Sequence, residues 1–174
     1  CKLYITKPLG VGIFTTAQKQ GKLLPEHRNI APDSMAQLNK IGEELAAIEG
    51  ITAMTDVTGF GLLGHLSEMC EGSNLSASIE FDKVPVFKET AQYIAQGCIP
   101  GGTHRNWDSY GHHIQLKEEG NKAILCDPQT SGGLLLAVKQ EAAKEVEALL
   151  EAHNINPIAF GQLQPRKEHL VTVV

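Results

Sequence analysis

The residues best suited to chemistry lie in one short stretch, Thr55-Asp56-Val57-Thr58-Gly59-Phe60-Gly61-Leu62-Leu63-Gly64-His65. A carboxylate stands there just ahead of glycines that let the backbone curl into a helix start. Exposed N–H groups at a helix N-terminus attract anions, and a hard carboxylate beside them can hold the Mg²⁺ that accompanies a nucleotide polyphosphate. Mg²⁺ takes one or two protein carboxylates together with phosphates and water, so Asp56 alone is only part of such a site. Two other readings fit the same letters. Gly59, Gly61 and Gly64 can simply permit close helix packing, with Asp56 or Thr58 as the helix cap. Gly59 to Gly64 also matches G-x-G-x-x-G, with Glu80 or Asp82 about twenty residues on, which is the pattern of a dinucleotide site. Against that last reading, Asp56 places negative charge beside the intended pyrophosphate, and the regular βαβ succession is missing.

Two further segments carry polar groups at turns. Asp127-Pro128-Gln129-Thr130-Ser131-Gly132-Gly133 joins a turn-forming Asp-Pro to hydroxyls and paired glycines, and a structural turn is its independent meaning. Pro100-Gly101-Gly102-Thr103-His104-Arg105-Asn106 could bring Arg105 and backbone amides to an anion, or be a surface loop with a solvated arginine. His112-His113 suggests a metal, but adjacent strand residues face opposite ways and no second cluster accompanies them. His65 could flank the buried stripe of its helix or point towards the glycine turn. Cys1, Cys70, Cys98 and Cys126 stand far apart with no C-x-x-C pair, so they read mostly as small buried hydrophobes.

These segments need elements to position them. Leu3–Ile5 and Val11–Phe14 read as two strands around Lys7-Pro8-Leu9-Gly10. Pro32-Asp33-Ser34 opens a helix whose apolar residues Met35, Leu38, Ile41, Leu45 and Ile48 share one face, with Gly50 as its left-handed end. Ile51–Val57 is extended and leads through the glycine turn into a helix over Leu62, Leu63, Leu66, Met69 and Cys70. Ala77–Phe81 reads as a strand, Val86–Gln96 as a helix closed by Gly97, and residues 98–111 as a loop. Lys122–Cys126 and Leu134–Val138 read as strands, Gln140–Ala152 as an amphipathic helix, and Pro157–Phe160 and Leu170–Val173 as closing strands. This irregular alternation predicts an α+β domain, one mixed β-sheet with packed helices.

The bulk properties narrow the function. The 174 residues suffice for one domain with a sizeable core, 42% of them are hydrophobic, and the formal charge of -5 gives no positive excess for a phosphate backbone. Nucleic acid is therefore not an expected partner. No apolar run approaches the ~18–20 residues of a spanning helix, and Cys1–Leu9 lacks the plan of a signal peptide, so no membrane role and a cytoplasmic location are expected. The chain opens without methionine, directly on an apparent strand, and is expected to be a fragment of something longer.

The Asp56 segment closely resembles a signature of the selenophosphate synthetase (selenide, water dikinase) family, and Asp127–Leu135 resembles a second signature in the same order. Thr6-Lys7-Pro8-Leu9-Gly10-Val11-Gly12 and Pro100–Thr103 with Arg105-Asn106 also resemble that family, so matched segments span almost the whole chain. The resemblance places the chain in the aminoimidazole ribonucleotide synthetase superfamily and implies the C-terminal domain, residues 1–174, of a longer two-domain enzyme. It implies a mixed sheet that is partly ferredoxin-like. The activity implied is conversion of ATP, selenide and water to selenophosphate, phosphate and AMP, with Mg²⁺ and commonly a monovalent cation such as K⁺. In that family the N-terminal domain supplies the reactive cysteine or selenocysteine, the nearby lysine and most metal-binding aspartates, and forms the dimer that closes the ATP site. ATP and selenide would therefore be met through that domain, and no catalytic residue is expected in this chain. Cys1 precedes the Lys-Pro-Leu-Gly segment and does not correspond to the reactive cysteine. The family aspartate falls on Asp56 as the metal candidate, and Thr58, Gly59, Gly61, Thr103, Arg105 and Asn106 are the candidates for contacting nucleotide phosphate.

Overall fold

The computed structural model describes residues 1–174. Seven strands form one sheet: β1 Lys2–Ile5, β2 Ile51–Asp56, β3 Leu75–Ile79, β4 Ile114–Leu116, β5 Leu134–Val138, β6 Gly161–Pro165 and β7 Val171–Val173. Eight helices join them: α1 Val11–Lys19, α2 Ile30–Ala36, α3 Ile41–Ala46, α4 Gly61–Ser73, α5 Thr90–Ala95, α6 Gly101–Tyr110, α7 Lys122–Leu125 and α8 Ala143–Ala152. The strand order is β2-β5-β1-β6-β3-β7-β4. Pairing is antiparallel from β2 to β3 and parallel in β3-β7-β4, so the sheet is mixed and the domain is α+β, as expected.

Period-two alternation sorts the core. Leu3, Ile5, Leu135 and Ala137 point to one face, where Leu62, Leu63 and Leu66 of α4 cover them. Tyr4, Leu136 and Val138 point to the other, against Ile41 and Leu45 of α3 and Val146 and Leu150 of α8. Strand β5 is thus buried on both faces, which is why Leu134–Val138 is an unbroken apolar run rather than an alternating one. A third cluster packs α1, α2 and α5 through Val11, Phe14, Ala31 and Tyr93.

Several local readings are corrected by contacts distant in sequence. Val11–Phe14 starts a helix, because Gly10, at φ 127, turns the chain and residues 127 and 129 supply the cap described below. The single helix expected from Met35 to Ile48 is two, α2 and α3, broken at Gln37–Lys40. There the Lys7 ammonium takes the Ser34 and Gln37 carbonyls, Asn39 donates to the Gly132 carbonyl, and Leu38 is 70% exposed. Gly50 is not left-handed; it is buried against Ala142. Residues 101–110 form a helix where a loop was expected, since its glycines and polar residues hide a face made for tertiary contact. Lys122–Leu125 is a single helical turn, because an apolar run this short has no periodicity to read. Helix α5 keeps only Thr90–Ala95 of the expected span, the late strand lies at Gly161–Pro165, and β4 was not anticipated. No helix is long and apolar enough to cross a membrane.

Candidate functional site

Strand β2 ends at Asp56, whose side chain is exposed. The chain beyond it is clamped: Val57 N–H donates to the Gly133 carbonyl at 2.9 Å, and Gln129 N–H donates to the Thr58 carbonyl at 3.1 Å. Gly59 and Phe60 then stand out into solvent, and α4 begins at Gly61 without a side-chain cap. Gly61 has φ +70, and a Cβ there would lie 2.8–3.0 Å from backbone atoms of Cys126, so only glycine fits.

Helix α6 holds this turn from one side. The Asn106 amide donates to the carbonyls of Gly59 at 2.8 Å and Cys126 at 3.0 Å, and the Tyr110 hydroxyl donates to the Phe60 carbonyl at 2.6 Å. From the other side His65 folds back. Its Nε2 accepts the Thr58 N–H at 3.0 Å, so Nδ1 carries the ring proton and faces a Glu68 carboxylate oxygen at 3.2 Å. His65 therefore points towards the glycine turn, one of the two orientations open to it from sequence. With its carbonyls tied back, the turn presents a fixed backbone next to a free carboxylate.

The other signature segment is a brace. Asp127 is fully buried at the start of α1, where Oδ2 accepts the Gly12 N–H at 3.0 Å and the Gln129 amide at 2.8 Å, while Gln129 Oε1 accepts the Val11 N–H at 3.3 Å. Oδ1 has no partner, and burial pushes the Asp127 carboxyl up to about 7. Lys7 is buried alongside, donating to the carbonyls of Ser131 at 2.7 Å, Gln37 at 2.7 Å and Ser34 at 3.1 Å, and desolvation lowers its pKa. All three of its protons are spent, so it offers nothing to an anion. Burial also raises the Cys126 thiol to about 11, which keeps it protonated and unreactive at neutral pH.

Among the sequence candidates, Asp56, Thr58, Gly59 and Gly61 form one continuous ledge, and Asn106 reaches it through its amide. Both amide protons of Asn106 serve backbone carbonyls, so it positions the turn. Arg105 is exposed on α6 and makes no ion pair. Thr103 is 2% exposed, and its hydroxyl is buried without a partner. Tyr110 was missed by the sequence reading; its spacing of four from Asn106 would have paired them once residues 101–110 were read as helical. No three His, Cys, Asp or Glu side chains gather into a metal site, and His112 and His113 lie side by side, exposed, with ring centroids 3.8 Å apart. An exposed carboxylate beside an anchored turn fits one ligand position of a shared Mg²⁺ site and does not make a whole one.

The family of AIR synthase related proteins, C-terminal domain, matches residues 1–174. The chain belongs to that family. Among curated relatives it is 58% identical over 163 residues to a selenide, water dikinase of Shewanella sp. (strain MR-4), covering 94% of this chain and 46% of that protein. It is 55% identical over 173 residues to the selenide, water dikinase of Haemophilus influenzae (strain ATCC 51907 / DSM 11121 / KW20 / Rd), covering 99% of this chain and 50% of the relative. The chain therefore spans about half the length of the curated relatives it matches. Solved structures share the family's fold at low identity. A chain of a HypE-HypF complex superimposes with TM-score 0.69 at 16% identity, over 99% of this chain and 48% of that one. The thiamine-monophosphate kinase of Stenotrophomonas maltophilia K279a gives TM-score 0.67 at 14% identity, over 99% and 49%. With this membership the βαβ dinucleotide reading of Gly59–Gly64 falls away, since β2 pairs antiparallel with β5 and no parallel strand follows α4 beside it.

Proposed function

We propose that this chain is the C-terminal domain of an ATP-dependent selenide, water dikinase, and that its ledge completes a phosphate site built mainly by a preceding domain. The observation that carries the reading is the exposed Asp56 carboxylate leading into a glycine turn whose carbonyls are tied back by Asn106 and Tyr110. What supports the choice of reaction is the extent of similarity to relatives bearing that name. The overall conversion is ATP, selenide and water to selenophosphate, phosphate and AMP.

In this reading Asp56 is one carboxylate ligand of Mg²⁺, which when bound neutralises phosphate charge. Thr58, Gly59 and Gly61 shape the backbone that lies against the nucleotide phosphates, and Arg105 adds a positive charge on the neighbouring helix. Asn106 holds the turn, and Thr103 is buried beneath the helix that carries Arg105, so it does not reach phosphate. Thr58 cannot drift, because His65 fixes its N–H. A monovalent cation such as K⁺, a homodimer formed by the preceding domain and a cytoplasmic setting belong to the same proposal. The chain by itself supplies one carboxylate and no nucleophile, so it turns over no ATP alone.

The test uses the intact protein. Asp56→Asn is expected to cut formation of selenophosphate and AMP, followed by ³¹P NMR, at least about a hundredfold with little change in melting temperature. Near-normal turnover at saturating Mg²⁺ would leave Asp56 as a mere end of strand. Calorimetric titration of this chain alone with Mg²⁺ and ATP is expected to show no submicromolar binding; tight binding would mean that the site is complete here.

A further inference from the structure

Strands β2 and β4 are the two edges of the sheet, and they are finished differently. β4 has three residues, with His112 and His113 before it and Lys117 after it. A strand that short, flanked by polar and charged side chains, gives another chain little to add to. β2 has six residues, Ile51-Thr52-Ala53-Met54-Thr55-Asp56, and carries no charge before the last. Its one irregularity is the register shift between Ile51 and Ala53. Both of its faces are packed, Ala53 against the cluster under α4, and Ile51 and Met54 against that of α3 and α8. What β2 leaves open is therefore its backbone edge.

The ladder fixes which groups stand open. Val57 N–H donates to the Gly133 carbonyl at 2.9 Å, and on the other side of β5 Thr6 N–H donates to the Leu134 carbonyl at 3.1 Å. In an antiparallel ladder the bonded residues recur at every second position. Thr55 and Ala53, opposite Leu135 and Ala137, thus bond inward to β5, while Met54 and Asp56 turn their N–H groups away from it. The Met54 N–H and C=O and the Asp56 N–H form a short row with no strand beside it. Unpaired groups in such a row are a template for a further strand.

We infer that the free edge of β2 is a docking edge, to which an extended segment of the preceding domain adds as an eighth strand; this rests on the two-domain reading above. Both ends of β2 bring that partner to it. Asp56 closes the strand at the ledge, where the preceding domain has to meet the chain to complete the phosphate site. At the far end, Cys1, where that domain would join, has its Sγ 3.6 Å from Thr52 Oγ1. The chain spans about half the length of its curated relatives, so the partner is large enough to supply a strand. Main-chain bonds along the edge would hold the two halves of the site in register, which a contact at Asp56 alone could not do.

Amide hydrogen exchange, read residue by residue in this chain and in the intact protein, tests the edge directly. In this chain Met54 N–H is expected to exchange fast, while Ala53 and Thr55, bonded to β5, exchange slowly. In the intact protein Met54 is expected to slow by roughly a hundredfold and join them. Met54→Pro removes the outward donor, which an edge strand tolerates, and is expected to restore fast exchange at Asp56 in the intact protein. Met54→Ala, which keeps the donor, is expected not to. An intact protein in which Met54 exchanges as fast as in this chain overturns the docking edge. So does slow, concentration-dependent exchange in this chain alone, which would make the partner a second copy. The outcomes separate from those at the ledge. Inactive Asp56→Asn with fast Met54 exchange removes the docking edge and keeps the ledge, and slow Met54 exchange in an intact protein that makes no selenophosphate does the reverse.

Discussion

Two segments of this chain look alike as text and behave as opposites. Thr55–Gly61 and Asp127–Gly133 each combine an aspartate, hydroxyl residues and glycines next to a strand of the same sheet, and Asp56 and Leu134 are direct cross-strand partners. Yet Asp56 is exposed with its carboxylate free, whereas Asp127 is fully buried and caps α1 from 115 residues away. The first segment can meet a ligand because the second holds it in place: the clamps on Val57 and Thr58 both come from residues 129–133. An aspartate before a glycine turn is therefore left free or made a girder according to what packs over it.

The largest effect should come from the glycine that links the two segments. Gly61→Val forces a side chain into a left-handed backbone and into the Cys126 main chain. It should lower unfolding free energy by roughly 2–5 kcal/mol, measured by urea denaturation. If the loss is below about 1 kcal/mol, the two segments are not rigidly docked and the comparison fails.

Asp127 gives the contrast a pH signature. Burial raises its folded pKa from 3.8 to about 7, so the folded state holds a proton that the unfolded chain releases. Its contribution to stability is complete below the unfolded value and is lost as pH rises through the folded one. Stability should thus fall between about pH 4 and pH 7 by an amount on the order of a few kcal/mol. Asp127→Asn, which cannot ionise, should flatten this part of the curve in denaturation at a series of pH values. An unaltered slope in Asp127→Asn would mean that Asp127 is ionised in the fold.

Smaller effects separate holding from binding. Tyr110→Phe removes one hydrogen bond to the Phe60 carbonyl and should cost about 1 kcal/mol. In the intact protein it should also weaken turnover, because α6 then holds the turn through Asn106 alone. Asp56→Asn should change stability by no more than about 0.5 kcal/mol, the range of exposed substitutions, and that near-silence in a melting curve is what sets a ligand apart from a girder.

The sheet and the site were not equally legible in the sequence. Strands β2 and β5, helices α4 and α8, and the exposed turn between β2 and α4 follow from periodicity and glycine placement, which act locally. Helix α1 could not be read, because its cap comes from Asp127 and Gln129. The interruption between α2 and α3 was hidden for the same reason, being drawn out by Lys7 and Asn39. At the site, Asp56 and the glycines were visible as residue types in order. The roles of Asn106, Tyr110 and His65 needed the fold, since each acts on a backbone group at a distance that no spacing rule encodes.

The place of β1 in the sheet bears on how the chain is made. Residues 2–5 lie between β5 and β6, with Leu3 paired to both Ala137 and Gly161. Strand β1 is made about 160 residues before β6 and must therefore wait for it, roughly ten to thirty seconds at ordinary rates of synthesis. During that interval Leu3, Tyr4 and Ile5 have no native neighbours along either edge. A chaperone able to shield a short apolar strand would find its substrate here, and a nascent chain stalled before residue 161 would present an unsealed sheet centre to anything nearby.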